Sequence, residues 1–141
     1  MFRRLLYTCL CLVCLLAVSS ACQKATPPIP VPEAGEGAIT GQVLGLSGRW
    51  KEGPFTIYAA PYVGGEDGEG FYVLEPALHP HDELKANGYF QLNDVTPGQY
   101  VLVVGPTPEE AIRVVDDQQK PRVFTITAGQ VLEAGKIQLE P

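Results

Sequence analysis

The chain is short of the residues that carry most protein chemistry: in 141 positions it has two histidines, one tryptophan and one methionine. Three of its four cysteines, Cys9, Cys11 and Cys14, lie inside one apolar run near the start, a segment that is cut away when it serves as a secretory signal. Cys22 is then left without a mate, which excludes a disulfide framework for the remaining domain. Beyond residue 21 the only serine is Ser47, in Gly45-Leu46-Ser47-Gly48, a turn sequence and not the strand-to-helix elbow of a serine nucleophile. Positive charge is scarce too. Removing Arg3 and Arg4 from the ten Lys and Arg leaves eight against sixteen Asp and Glu, a formal net charge of −8 that repels nucleic acid and favours solubility.

The one long apolar run has the three-part order of a secretory signal: Arg3-Arg4, then Leu5 to Val18, then the small residues Ser19-Ser20-Ala21. About fourteen residues at 1.5 Å each reach roughly 21 Å, short of the ~30 Å hydrocarbon core, so a permanent transmembrane helix is not expected. The organisation read from the sequence is a signal peptide over 1–21, a tether over 22–37 and one domain over 38–141. Val18 to Cys22 resembles the lipobox of bacterial lipoproteins. That resemblance implies a diacylglycerol on the Cys22 thiol, cleavage before it, and a further acyl chain, palmitate for example, on the new amine. Two or three buried acyl chains at about 0.8 kcal/mol per CH2 would hold the protein on a membrane almost permanently. Its place is then the cell envelope, facing away from the cytoplasm, and Gln23 in the position after the cysteine implies the outer membrane where the cell has one. Lys24 to Gly37, KATPPIPVPEAGEG, has too few apolar neighbours to bury anything and is expected as an unpacked spacer reaching roughly 40 Å at about 3.1 Å per residue.

From Ala38 onwards β-branched and aromatic residues come in short runs cut by Gly, Pro, Asn and Asp, and no stretch beyond about two turns keeps a helical period. Ala38 to Leu44, Phe55 to Ala60, Phe71 to Leu74 and Tyr89 to Leu92 read as strands. Tyr100 to Val104 is apolar on both faces, as a strand covered on two sides requires. Ile112 to Val115 and Arg122 to Thr127 flank Asp116-Asp117-Gln118-Gln119-Lys120-Pro121, which suggests a hairpin, and Lys136 to Leu139 closes the chain. Thr107-Pro108-Glu109-Glu110-Ala111 has the cap and acids of a single helical turn. About seven strands in roughly 100 residues predict an all-β sandwich. Its expected core is Ile39, Val43, Phe55, Ile57, Phe90, Leu92, Tyr100, Leu102, Phe124, Ile126, Ile137 and Leu139.

Asn87-Gly88-Tyr89-Phe90-Gln91-Leu92-Asn93-Asp94-Val95-Thr96-Pro97-Gly98-Gln99-Tyr100-Val101-Leu102-Val103 resembles the signature of carboxypeptidase regulatory-like domains. Ile39 to Val43 is similar to that family's opening strand, and Ala128 to Val131 with Gly135 to Leu139 to its closing element. The resemblance implies a seven-stranded transthyretin-like (immunoglobulin-like) β-sandwich and identifies a fold, not a reaction.

Three clusters are candidates for chemistry. His79-Pro80-His81-Asp82-Glu83 places two imidazoles beside carboxylates, so His79, His81 and Asp82 are candidate metal ligands, although Pro80 works against their convergence and a solvated loop is the simpler reading. A zinc peptidase would need a His-x-x-Glu pair and a third histidine, which the chain lacks. Glu66, Asp67 and Glu69 offer oxygens to calcium without the spacing of a calcium loop. Trp50, Tyr58, Tyr62, Phe71 and Tyr72 gather near the second and third strands, and Tyr62, Phe71 and Tyr72 are the candidate surface for stacking on sugars. No catalytic residue and no cofactor is expected. The function expected is a lipid-anchored, non-catalytic binding or structural module meeting a protein or glycan, with metal binding at the His79/His81 loop and glycan binding by aromatics as alternatives.

Overall fold

A computed structural model describes residues 28–46, 53–65 and 69–139, and the signal segment, Cys22, Ser47, Trp50, Glu66 and Asp67 lie outside them. The described residues form nine strands: β1 (Gly37–Leu44), β2 (Thr56–Gly64), β3 (Gly70–Tyr72), β4 (His81–Glu83), β5 (Tyr89–Val95), β6 (Gly98–Gly105), β7 (Ile112–Arg113), β8 (Val123–Ile126) and β9 (Val131–Gln138). The molecule is an all-β sandwich. One sheet has three strands, with β1 in the middle, β5 antiparallel on one side and β9 parallel on the other. The second sheet is built on the antiparallel pair β2 and β6.

Nine segments trace seven strand paths. Along the free side of β2, β4 pairs with Thr56–Tyr58 and β3 with Tyr62–Gly64, so the two lie end to end. Along the free side of β6, β8 pairs with Gly98–Val101 and β7 with Val103 and Val104. Each outer path leaves the sheet in the middle. The first break contains Pro76 and Pro80, which have no amide hydrogen to give a ladder. The second is the 114–122 loop, where the Asp116 carboxylate accepts amide hydrogens from Gln118 (2.8 Å) and Lys120 (3.0 Å). The hairpin expected here forms only at its tip, where Val115 bridges Pro121 and the Asp116 and Arg122 amides donate to the Lys120 and Val114 carbonyls at 2.8 and 3.0 Å; beyond it the two arms pair with β6. His81 to Glu83, expected in a solvated loop, is a strand, because β2 extends past the end of β3 and offers it unpaired backbone. At 107–111 the chain makes one turn capped by the Thr107 hydroxyl, as expected, and goes no further.

Side chains from both sheets meet in one apolar core. Ile39, Val43, Phe90, Leu92 and Ile137 from the small sheet pack against Ile57, Leu102, Phe124 and Ile126 from the large one. Every expected core residue is buried except Phe55, which is half-buried and packs on the edge of the cluster. The opposite face of β6 is apolar as well: Val101 and Val103 join Ala60 and Tyr62 in a second cluster under Tyr72, Leu74, Ala111 and Val123. Two turns hold the sheets in register. Gly88 has φ of +77°, and a side chain there would strike the carbonyl of Val43, whose own amide donates to the Gly88 carbonyl at 2.8 Å. At the other, Asp94 takes a left-handed φ of 52° and the chain crosses between sheets, fixed by the Tyr100 hydroxyl donating to the Thr96 carbonyl at 2.7 Å. A tyrosine tied back across an inter-sheet corner is a recurrent device of β-sandwiches.

Candidate functional site

A concavity lies on the side of the sandwich where β9, the outer strand of the small sheet, faces β7 and the 114–122 loop. It is an open groove of about 850 Å3, within the ~300–1,000 Å3 range of ligand sites. Residues 111–117 with Gln119 and Arg122 form one wall, Lys136 to Leu139 the other, and Tyr72 stands at one end. Neither wall carries a histidine, serine or cysteine. Guanidinium, ammonium, carboxylate and amide groups line it among apolar side chains, and all four can hydrogen-bond to polar ligands.

Positive charge gathers here. Of the five described Lys and Arg, namely Lys85, Arg113, Lys120, Arg122 and Lys136, three line this one groove. Arg122 is held in place: one guanidinium nitrogen donates to the Ala134 carbonyl of β9 at 3.2 Å, and the group lies 4.8 Å from the centre of the Phe124 ring. That bond closes the gap between the sheets on this side. No sequence motif marks these cations, because each stands singly between uncharged residues: Arg113 between Ile112 and Val114, Arg122 between Pro121 and Val123, Lys136 between Gly135 and Ile137. The available signal was their density, with four of the eight basic residues beyond residue 21 falling between 113 and 136.

The structure spreads the sequence candidates apart. His79 Nδ1 accepts the Glu75 amide hydrogen at 3.0 Å, closing a turn, and His81 Nδ1 lies 2.9 Å from the His79 carbonyl. The His81 ring sits 5.7 Å from that of Tyr58. Asp82 follows His81 in a strand and so projects to the other face, where its carboxylate accepts the Gln91 amide hydrogen at 3.0 Å. His81 and Asp82 thus diverge, and no group of three His, Cys, Asp or Glu among the described residues is placed to hold a metal ion. The aromatic trio divides as well. Tyr62 is buried beneath the outer-face cluster, Tyr72 is half-buried at the end of the groove, and Phe71, 60% exposed, stands opposite exposed Val63 on the projecting β2–β3 hairpin.

Most of the described end of the tether is exposed, as an unpacked spacer would be: Pro28, Ile29, Val31 and Glu33 to Gly35 all face solvent. Pro30 is buried, and Pro28 lines a recess of about 420 Å3 together with Asp82, Lys85, Tyr89 and Gln91 at the free side of β5.

No protein-family model matches the chain, and none of the curated proteins does either. Among solved structures, the chain is similar to the crystal structure of a "putative carbohydrate binding protein" from Pseudomonas aeruginosa, at 15% identity and a TM-score of 0.41, over 77% of this chain and 92% of that one.

Proposed function

We infer that the protein is a membrane-anchored, extracytoplasmic, non-catalytic binding module, and that its working surface is the groove between β9 and the 112–122 segment. The observation that carries this reading is the groove itself: about 850 Å3, open, walled by two strand paths of a packed sandwich and lined with hydrogen-bonding side chains. Ligand specificity of this kind needs polar groups held still, and Arg122 is held by Ala134 and Phe124. Glycans are the partner class that suits it, since sugar hydroxyls pair with guanidinium, carboxylate and amide groups while Tyr72 offers an aromatic edge. The anchor rests on the lipobox-like Val18 to Cys22 and the signal-like segment before it.

Two measurements test the two halves. A glycan array probed with the full chain should show binding that is lost when Gln138→Trp or Gln119→Trp fills the groove; binding retained in both variants would place the working surface elsewhere. Intact-mass analysis of the protein from its native membrane should show a lipid-modified chain beginning at Cys22. An unmodified thiol or an attached leader would remove the anchor.

A further inference from the structure

We propose that the groove selects acid-bearing glycans, those with uronate or other carboxylated sugars, over neutral ones, an inference that rests on the groove being the binding surface. The chain beyond residue 21 is formally −8, so an anionic ligand is repelled by most of its surface and can approach only where the local balance is reversed. The groove is such a place, with Arg113, Arg122 and Lys136 against Asp116 and Asp117. Asp116 is turned into its own loop, where its carboxylate oxygen accepts the Gln118 and Lys120 amide hydrogens.

The cations differ in how they are used. Arg122 spends one nitrogen on the Ala134 carbonyl and is fixed by it. Arg113 and Lys136 are exposed and make no ion pair among the described residues, although acids outnumber bases two to one beyond residue 21. They stand on opposite walls, Arg113 on β7 and Lys136 on β9. A chain of acidic sugars lying along the groove meets one cation from each sheet, and a guanidinium donates two parallel hydrogen bonds to a carboxylate. A neutral glycan of the same length gains the hydroxyl contacts but neither charged one.

The test is a glycan array carrying uronate-containing, sialylated and neutral oligosaccharides, probed with the full chain in detergent. Arg113→Gln and Lys136→Gln are probed alongside, with thermal unfolding confirming that each variant folds. Acid-bearing spots should dominate and each variant should weaken them about tenfold, the loss expected of one hydrogen bond to a charged partner. Raising the salt should weaken them further, while any neutral spots stay unchanged. Neutral glycans bound as strongly as acidic ones, with both variants unaltered, would overturn the selection and leave the groove reading standing. No bound spot in any class would overturn both.

Discussion

At the scale of single residues, the tightest constraint is the corner built by Tyr100. Its hydroxyl donates to the Thr96 carbonyl at 2.7 Å, and burial, then the nearby Glu36 carboxylate, holds the phenol above its ordinary pKa. The same Glu36 has one oxygen buried without a hydrogen-bond partner, which fits a site that resists a second negative charge. A phenol whose pKa is raised on folding stabilises the fold at pH values below its unfolded value, about 10, and that contribution fades as pH climbs through the higher folded value. Tyr100→Phe removes both the bond and the titration. Urea unfolding at pH 7 should show a loss of about 1 kcal/mol in the variant, and the gap from the parent should narrow as the pH climbs past the ordinary phenol value of about 10. A gap of constant size across that range would mean that the hydroxyl does not titrate with folding.

At the scale of elements, each open side of the sandwich is closed by one side chain bonded to a strand of the other sheet: Arg122 to Ala134 beside β9, and Asp82 to the Gln91 amide beside β5. The second is the better place to weigh such a tie, because the nearby Lys85 ammonium is 4.0 Å from Asp82 and largely in water. Asp82→Ala should cost about 1.5–3 kcal/mol in thermal or urea unfolding and speed exchange of the Gln91 amide, while Lys85→Ala should stay within about 0.5 kcal/mol. Equal effects would assign the stability to the ion pair instead. This tie also marks where legibility in the sequence ended. Strands whose alternation is imposed by the core, such as Tyr89 to Leu92 or the doubly apolar Tyr100 to Val104, announce themselves, and so does the core that they fill. His81-Asp82-Glu83 has no apolar member, so nothing local separates it from a loop; it becomes β4 only because β2, more than twenty residues earlier, leaves backbone unpaired. The groove was hidden for the same reason, since Arg113 and Lys136 come to face one groove only through two strands that belong to different sheets.

At the scale of the whole molecule, a lipid anchor at Cys22, as proposed, would let the tether set which way the groove faces. A spacer unpacked from Lys24 to Gly37 would let the domain turn freely some 40 Å from a membrane. With Pro28 lining the β5 recess and Pro30 buried, the span of chain from Cys22 to Pro28 can reach at most about 21 Å even when fully extended. The lipid proposed at Cys22 then holds the β5 side close to the bilayer. β5 and β9 are the two outer strands of one sheet, so the groove beside β9 opens on the side away from that attachment. Orientation of this sort suits a module that meets ligands arriving from solution and not from its own membrane. It is measurable, because beyond Cys22 the chain has no other thiol and single reporters can be placed at will. Asn93→Cys on β5 and Gln119→Cys at the groove, each carrying a fluorophore on lipidated protein in vesicles, should respond differently to a headgroup-bound quencher: strong quenching at 93, weak at 119. Equal quenching at both positions would mean that the tether leaves the strand edge in solution and that the domain tumbles on its anchor.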